Sequence, residues 1–225
     1  MREIVLDTET TGLSPGDGHR IVEIGCVELF NHVPTGNTYH QYINPDRDMP
    51  TEAFQVHGLS EGFLSDKPIF SEIVGDFLEF VGDTKLIIHN ASFDMGFINA
   101  ELKAAGFASI PMNQAVDTVR MARDKFPGAQ ASLDALCRRF NIDNTARTKH
   151  GALLDAELLA EVYLELMGGR QRGFGLTDDP AGGPVQAAVP VERIARPARP
   201  HEASEEELAA HREFLKRLTE PVWNS

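Results

Sequence analysis

Two carboxylates separated by one residue, Asp7 and Glu9, close a short apolar run in Val5-Leu6-Asp7-Thr8-Glu9-Thr10-Thr11-Gly12-Leu13. If that run is a strand, side chains at i and i+2 leave from the same face. Two acids so placed on a buried strand repel each other unless a cation lies between them. An all-oxygen site of this kind suits Mg²⁺ or Mn²⁺. The same residues also fit a strand running out into a polar loop, with both acids in water. Residues further along the chain bear on the choice.

Asp94, in His89-Asn90-Ala91-Ser92-Phe93-Asp94, follows a short apolar run and stands near the start of a helical pattern, where it faces a crevice or merely caps the helix. His150-Gly151-Ala152-Leu153-Leu154-Asp155 places a histidine on a loop and an acid about one turn into the next helix. An acid in a first helical turn is ordinary dipole complementation. Four acids and a histidine together describe more. Two cations about 4 Å apart clamp a phosphodiester, and a neutral histidine beside them takes the proton from the attacking water.

Asp-x-Glu, His-Asn-x-x-Phe-Asp and His-x-x-x-x-Asp, in this order and spacing, resemble the three motifs of the DEDDh 3′→5′ exonucleases, which have a ribonuclease H-like fold. The resemblance covers roughly Met1 to Gly168. Within that superfamily the first and third blocks look most like those of the proofreading subunits of bacterial replicative polymerases. The resemblance implies Asp7, Glu9, Asp94 and Asp155 as ligands of two Mg²⁺ or Mn²⁺ ions, with His150 as general base. Asp7, one residue nearer the buried run of the strand, is then expected to lie between both cations, and Glu9 to bind one of them close to the attacking water. Thr10, His57 (in Val56-His57-Gly58-Leu59) and Asn90 are expected near the substrate. That substrate is a single-stranded or frayed DNA 3′ terminus, released as 5′-mononucleotides. An RNA-trimming or general single-strand exonuclease of the same superfamily stays open, as does an inactive scaffold joining polymerase and clamp.

The elements that must hold these residues follow from periodicity. Strands are predicted over Arg2 to Asp7, Arg20 to Phe30, Thr38 to Ile43 and Lys85 to His89, with a last one ending at Val116-Asp117. Helical spacing covers Pro68 to Val81, Asp94 to Ala105, Thr118 to Lys125, Ser132 to Phe140 and Ala152 to Met167, while Thr51 to Asp66 reads as irregular. Three strands in series, then strands alternating with helices, point to an α/β fold: a mixed five-stranded sheet flanked by helices. The chain has 225 residues, 42% hydrophobic and 24% charged, enough for one core and a tail. Cys26 and Cys137 lack metal-type spacing and read as small buried hydrophobes. No apolar run approaches a membrane span and no signal peptide is evident, so a cytoplasmic protein is expected.

The formal net charge of −13 lacks the basic balance of a protein that holds nucleic acid unaided. A partner is therefore expected to supply much of the hold. The tail offers two points of attachment beyond the exonuclease domain of residues 1–168. Residues 169–176 include Gln171, Phe174 and Leu176, which resemble the short peptide by which replication proteins grip the sliding clamp, although Gly173 and Gly175 between the anchors depart from its commoner form. Residues 177–203 are rich in Pro, Gly and Ala, as a flexible linker is. Residues 204–225 form an amphipathic helix with Leu208, Phe214, Leu215 and Leu218 on one stripe and Trp223 beyond it. That stripe either folds back on its own domain or docks on the polymerase catalytic subunit, as the family's tail does.

Overall fold

A computed structural model describes residues 1–145, 147, 149–169 and 203–217. Five strands, β1 (Arg2–Thr10), β2 (Ile21–Phe30), β3 (Val33–Tyr42), β4 (Lys85–Ile88) and β5 (Ala115–Asp117), make one sheet in the order β3-β2-β1-β4-β5. The first three are antiparallel neighbours, whereas β4 runs parallel to β1 and β5 parallel to β4. This is the mixed five-stranded sheet expected from the sequence.

Strand alternation assigns the helices to the two faces. Ile4 and Leu6 share a core with α3 (Phe70–Val81) and α4 (Ala91–Ala104), through Phe77, Met95 and Ile98 among others. Val5, between them, points the other way and packs with α5 (Thr118–Lys125), α6 (Leu133–Phe140) and α7 (Ala152–Leu166). With a central strand buried on both sides, each such aliphatic side chain contributes about 1.5–3 kcal/mol, and both cysteines are buried as expected.

Three local readings are corrected. The third strand begins before the predicted Thr38: Asn31 and His32, both at positive φ, make a two-residue hairpin turn, so β3 starts at Val33. The segment read as irregular holds α1 (Thr51–His57), closed by Gly58 in the left-handed conformation, and the one-turn α2 (Glu61–Leu64), capped by Ser60. Both are too short for a period to show. Finally, α4 begins at Ala91 because Asn90 is left-handed (φ 66°), a conformation asparagine tolerates. Asp94 therefore lies inside the helix and does not cap it.

One close approach fixes the functional end of the sheet. Gly25 of β2 lies opposite Asp7 of β1. A Cβ at Gly25 would sit 2.3 Å from the Ala152 carbonyl carbon and the Leu153 nitrogen. The first turn of α7 thus lies directly on the sheet beside Asp7, and any side chain at position 25 would push it away.

Two compact units divide the chain, the first carrying β1 to α7 and the second α8 (Glu205–Leu215). Ser204 caps α8 reciprocally with Glu207, the first-turn acid three residues on. Leu208 and Phe214 are exposed and Leu215 is half-buried. Gln171, Phe174, Leu176, Leu218 and Trp223 lie outside the described residues. Among the described residues no helix is long and apolar enough to cross a membrane.

Candidate active site

The parallel strands β1 and β4 end together, and the crevice beyond them gathers Asp7, Glu9, Asp94, His150 and Asp155. Asp7 and Glu9 continue the Val5 face of β1, toward α7. Thr8 points to the other side, where its N–H (3.0 Å) and hydroxyl (2.7 Å) both donate to Asp94 Oδ1 from α4. Asp155 stands in the first turn of α7, 3% exposed, placed there by the close approach at Gly25. The five residues singled out by chemistry in three separate blocks thus line one crevice.

Their electrostatics are those of a site short of positive charge. Burial, then Asp94 and Glu9, push the Asp7 carboxyl well above its ordinary value. Burial, then Asp155, raise Glu9 to about 8. Asp94 rises to about 7, again through burial, against the opposing hydrogen bonds from Thr8. Folded-state values above the unfolded ones mean that Glu9 and Asp94 contribute stability that is fully present below about pH 4 and is lost as pH rises through about 7 to 8, and the raised Asp7 acts in the same direction. The buried His57 and the half-buried His89 titrate low and are silent above neutrality. In chelator the melting temperature should therefore fall by several degrees from about pH 6.5 to about 9. A saturating divalent cation should flatten that slope. A pH-independent melting curve in chelator would count against the clustering.

Asp155 is the exception, and its partner was not expected from the sequence. Burial opposes its ionisation, but its contacts with His150 and Arg147 outweigh that and hold its carboxyl below the ordinary value. Arg147 grips Asp155 with both arms, Nε on Oδ1 at 2.5 Å and Nη2 on Oδ2 at 2.6 Å, and its Nη1 donates to Asp134 at 2.8 Å. The guanidinium is nearly buried and, in this arrangement, is the cation facing the acids. Glu9, His150 and Asp155 present donor atoms within 4.8 Å of one another. Raised carboxyls, a compact oxygen and imidazole donor set and a guanidinium lodged against one of the acids all fit a site for a divalent cation. The only sequence signal for Arg147 is its place three residues before His150, a basic residue next to an acidic site.

His150 has its ring Nδ1 2.7 Å from Arg147 Nη2 and 3.1 Å from Asp155 Oδ2. One nitrogen does not accept from the guanidinium and donate to the carboxylate at once. With Arg147 donating, the proton of a neutral ring sits on Nε2. If Nδ1 turns its proton to Asp155, Nε2 is left as a free acceptor.

The remaining candidates fall around the crevice. Thr10 and His57 line an adjoining pocket of about 520 Å³ that shares Glu9 and Phe93 with it. Thr10 donates its hydroxyl to the Gly12 carbonyl at 2.6 Å. His57 accepts the Leu59 N–H on Nδ1, which puts its proton on the buried Nε2, where it has no hydrogen-bond partner. Asn90 does not enter the crevice. It lines a neighbouring groove, and its backbone N–H donates to Asp117.

A family model described as an exonuclease, RNase_T, matches residues 4–163. The chain is 51% identical to the DNA polymerase III subunit epsilon of Rickettsia conorii over 99% of both chains. It is 45% identical to that of Escherichia coli K12, covering 93% of this chain and 90% of the relative. Among solved structures, exonuclease X in complex with 5′-overhanging duplex DNA is 25% identical, with a TM-score of 0.58 over 73% of this chain and 90% of that one. The nuclease domain of 3′hExo, a DEDDh family member bound to rAMP, aligns with a TM-score of 0.64 at 18% identity, over 74% of this chain and 91% of that one, a likeness of fold. By its sequence matches and by the crevice they fall on, the chain belongs to the exonuclease family, among the DNA polymerase III epsilon subunits.

Proposed function

We propose that this chain is the proofreading 3′→5′ exonuclease of a replicative DNA polymerase, releasing 5′-mononucleotides from mispaired, frayed 3′ ends. The observation that carries the reading is the convergence of Asp7, Glu9, Asp94, His150 and Asp155 on one crevice at the carboxyl end of β1. In this proposal Asp7, Glu9, Asp94 and Asp155 would hold two divalent cations, Mg²⁺ or Mn²⁺. Bound there, the cations supply the positive charge that the acids and a phosphodiester need and lower the pKa of a water.

The chain's own residues do the rest. Thr8 fixes Asp94 by two hydrogen bonds, so that carboxylate keeps its orientation without a ligand. Asp155 orients the imidazole of His150, which takes the proton of the attacking water on Nε2 once Nδ1 donates to Asp155. The terminal nucleotide occupies the pocket lined by Thr10 and His57, and Asn90 contacts the strand beside the crevice. We assign residues 1–168 to the exonuclease domain, 169–176 to clamp attachment through Gln171, Phe174 and Leu176, and 177–203 to a flexible linker. The helical tail of 204–225 attaches to the polymerase through Leu208, Phe214, Leu215, Leu218 and Trp223. The exposed Leu208 and Phe214 support the last assignment.

The test is degradation of a primer labelled in its 3′-terminal nucleotide, with Mg²⁺ or Mn²⁺. Release of 5′-mononucleotides is expected, faster from a mispaired than from a paired 3′ end. His150→Ala should slow turnover by about 10²–10⁴-fold. Trimming confined to RNA would overturn the reading.

A further inference from the structure

We infer that the surface of α5, α6 and the loop between them is a phosphate track. It binds the backbone of the strand being degraded, on the 5′ side of the scissile bond. This inference rests on the function proposed above.

In a chain with net charge −13, residues 118–145 stand apart: Arg120, Arg123, Lys125, Arg138 and Arg139 outnumber Asp124, Asp134 and Asp143. Most other well-placed cations of the first unit are already engaged. Arg2 pairs with Glu28, Arg20 with Glu101 and Arg147 with Asp155. Lys125 donates to the last carbonyls of α7. Arg120, Arg123, Arg138 and Arg139, by contrast, form no ion pair among the described residues. Arg120 and Arg123 are exposed and, together with Asp124 and the helix-capping Asp117, line a groove that meets the catalytic crevice at His89 and Ser132. Beyond the loop, Arg138 and Arg139 line the next hollow with Gln130. Arg139 is stacked on Phe126, 4.4 Å from its ring centroid, which steadies the guanidinium.

The arginines therefore lead away from the acids in sequence: crevice, Arg120 and Arg123, loop, Arg138 and Arg139. At i and i+3 on one helix, the first two stand about 5–6 Å apart at Cβ. Unpaired guanidiniums in an open groove that starts at the reacting phosphate suit a chain of phosphates, which they contact without reading bases. The acidic chain then still holds its substrate locally.

The experiment compares two substrates on the full-length protein: a single-stranded DNA oligonucleotide and a mononucleotide nitrophenyl ester, which is too small to leave the crevice. For Arg120→Ala/Arg123→Ala the ratio of kcat/KM on the oligonucleotide to that on the ester should fall roughly tenfold. The dependence of log KM on log salt should become shallower by about 1 to 1.5, at ~0.7 per phosphate contact on a single strand. Arg120→Lys/Arg123→Lys should keep most of the ratio, because charge rather than shape is needed. An unchanged ratio in the alanine variant overturns the track and leaves this surface to an acidic protein partner. An unaltered protein that hydrolyses neither substrate would instead overturn the nuclease reading itself.

Discussion

Replacing Asp7 or Asp155 with alanine should abolish exonuclease activity, by at least about 10³-fold in kcat, or ~4 kcal/mol of barrier. The two variants should move stability in opposite directions. In the metal-free protein Asp7 is crowded by Asp94 and Glu9 and its ionised form is disfavoured. Alanine at that position removes a buried like charge, so Asp7→Ala should melt a few degrees higher in chelator than the parent. Asp155 is instead the carboxylate that satisfies Arg147 through two hydrogen bonds. Its loss strands a buried guanidinium, and Asp155→Ala should melt lower. Equal activity losses with opposite stability shifts would separate a charge cluster built for a ligand from an ordinary structural ion pair. Nuclease activity retained in purified Asp7→Ala would sink the assignment.

Arg147→Ala should lower the melting temperature of the chelated protein by roughly 5–10 °C, or about 3 kcal/mol at this chain length. The arginine is 9% exposed and bridges Asp155, Asp134 and the ring of His150. Without it the site holds four acids and no facing cation. A divalent cation should recover most of the difference, because it supplies the charge that the guanidinium supplied. The variant should therefore show a larger melting shift on adding Mn²⁺ than the unaltered protein does. Calorimetric melts with chelator and with excess Mn²⁺ measure both quantities. Equal shifts in the two proteins would show that Arg147 and the cation do not answer the same electrostatic need.

Much of this molecule is legible in its sequence. Apolar spacing places α3, α5, α6 and α7 within a residue or two: α3 and α7 repeat their pattern over three or more turns, and α5 and α6 are bounded by the cap residues Asp117 and Ser132. Alternation in Ile21 to Phe30 and the buried run before Asp7 likewise fix the two central strands. Short elements were not legible. With one or two turns, α1 and α2 carry no period, and the Asn31-His32 turn depends on two left-handed residues whose types only permit that conformation.

At the site the division is sharper. Asp7 and Glu9 share a face through strand geometry alone, and the identities of Asp94, His150 and Asp155 were marked by their blocks. Which carboxylate each neighbour would serve is a matter of distance in space. Asp94 is held by Thr8 across 86 residues of sequence, an arrangement that only the parallel placement of β1 and β4 creates. The absent side chain of Gly25 lets α7 carry Asp155 onto the sheet. Arg147, on a loop with no periodicity, reaches that acid because a long side chain follows charge rather than secondary structure. The sequence by itself determined the fold class and the residue types of the reaction centre, because buried patterns and carboxylate spacing are local. The pairing of charges within that centre, and the unpaired arginines leading away from it, were decided by tertiary contact alone, because electrostatic partners are chosen by proximity in three dimensions.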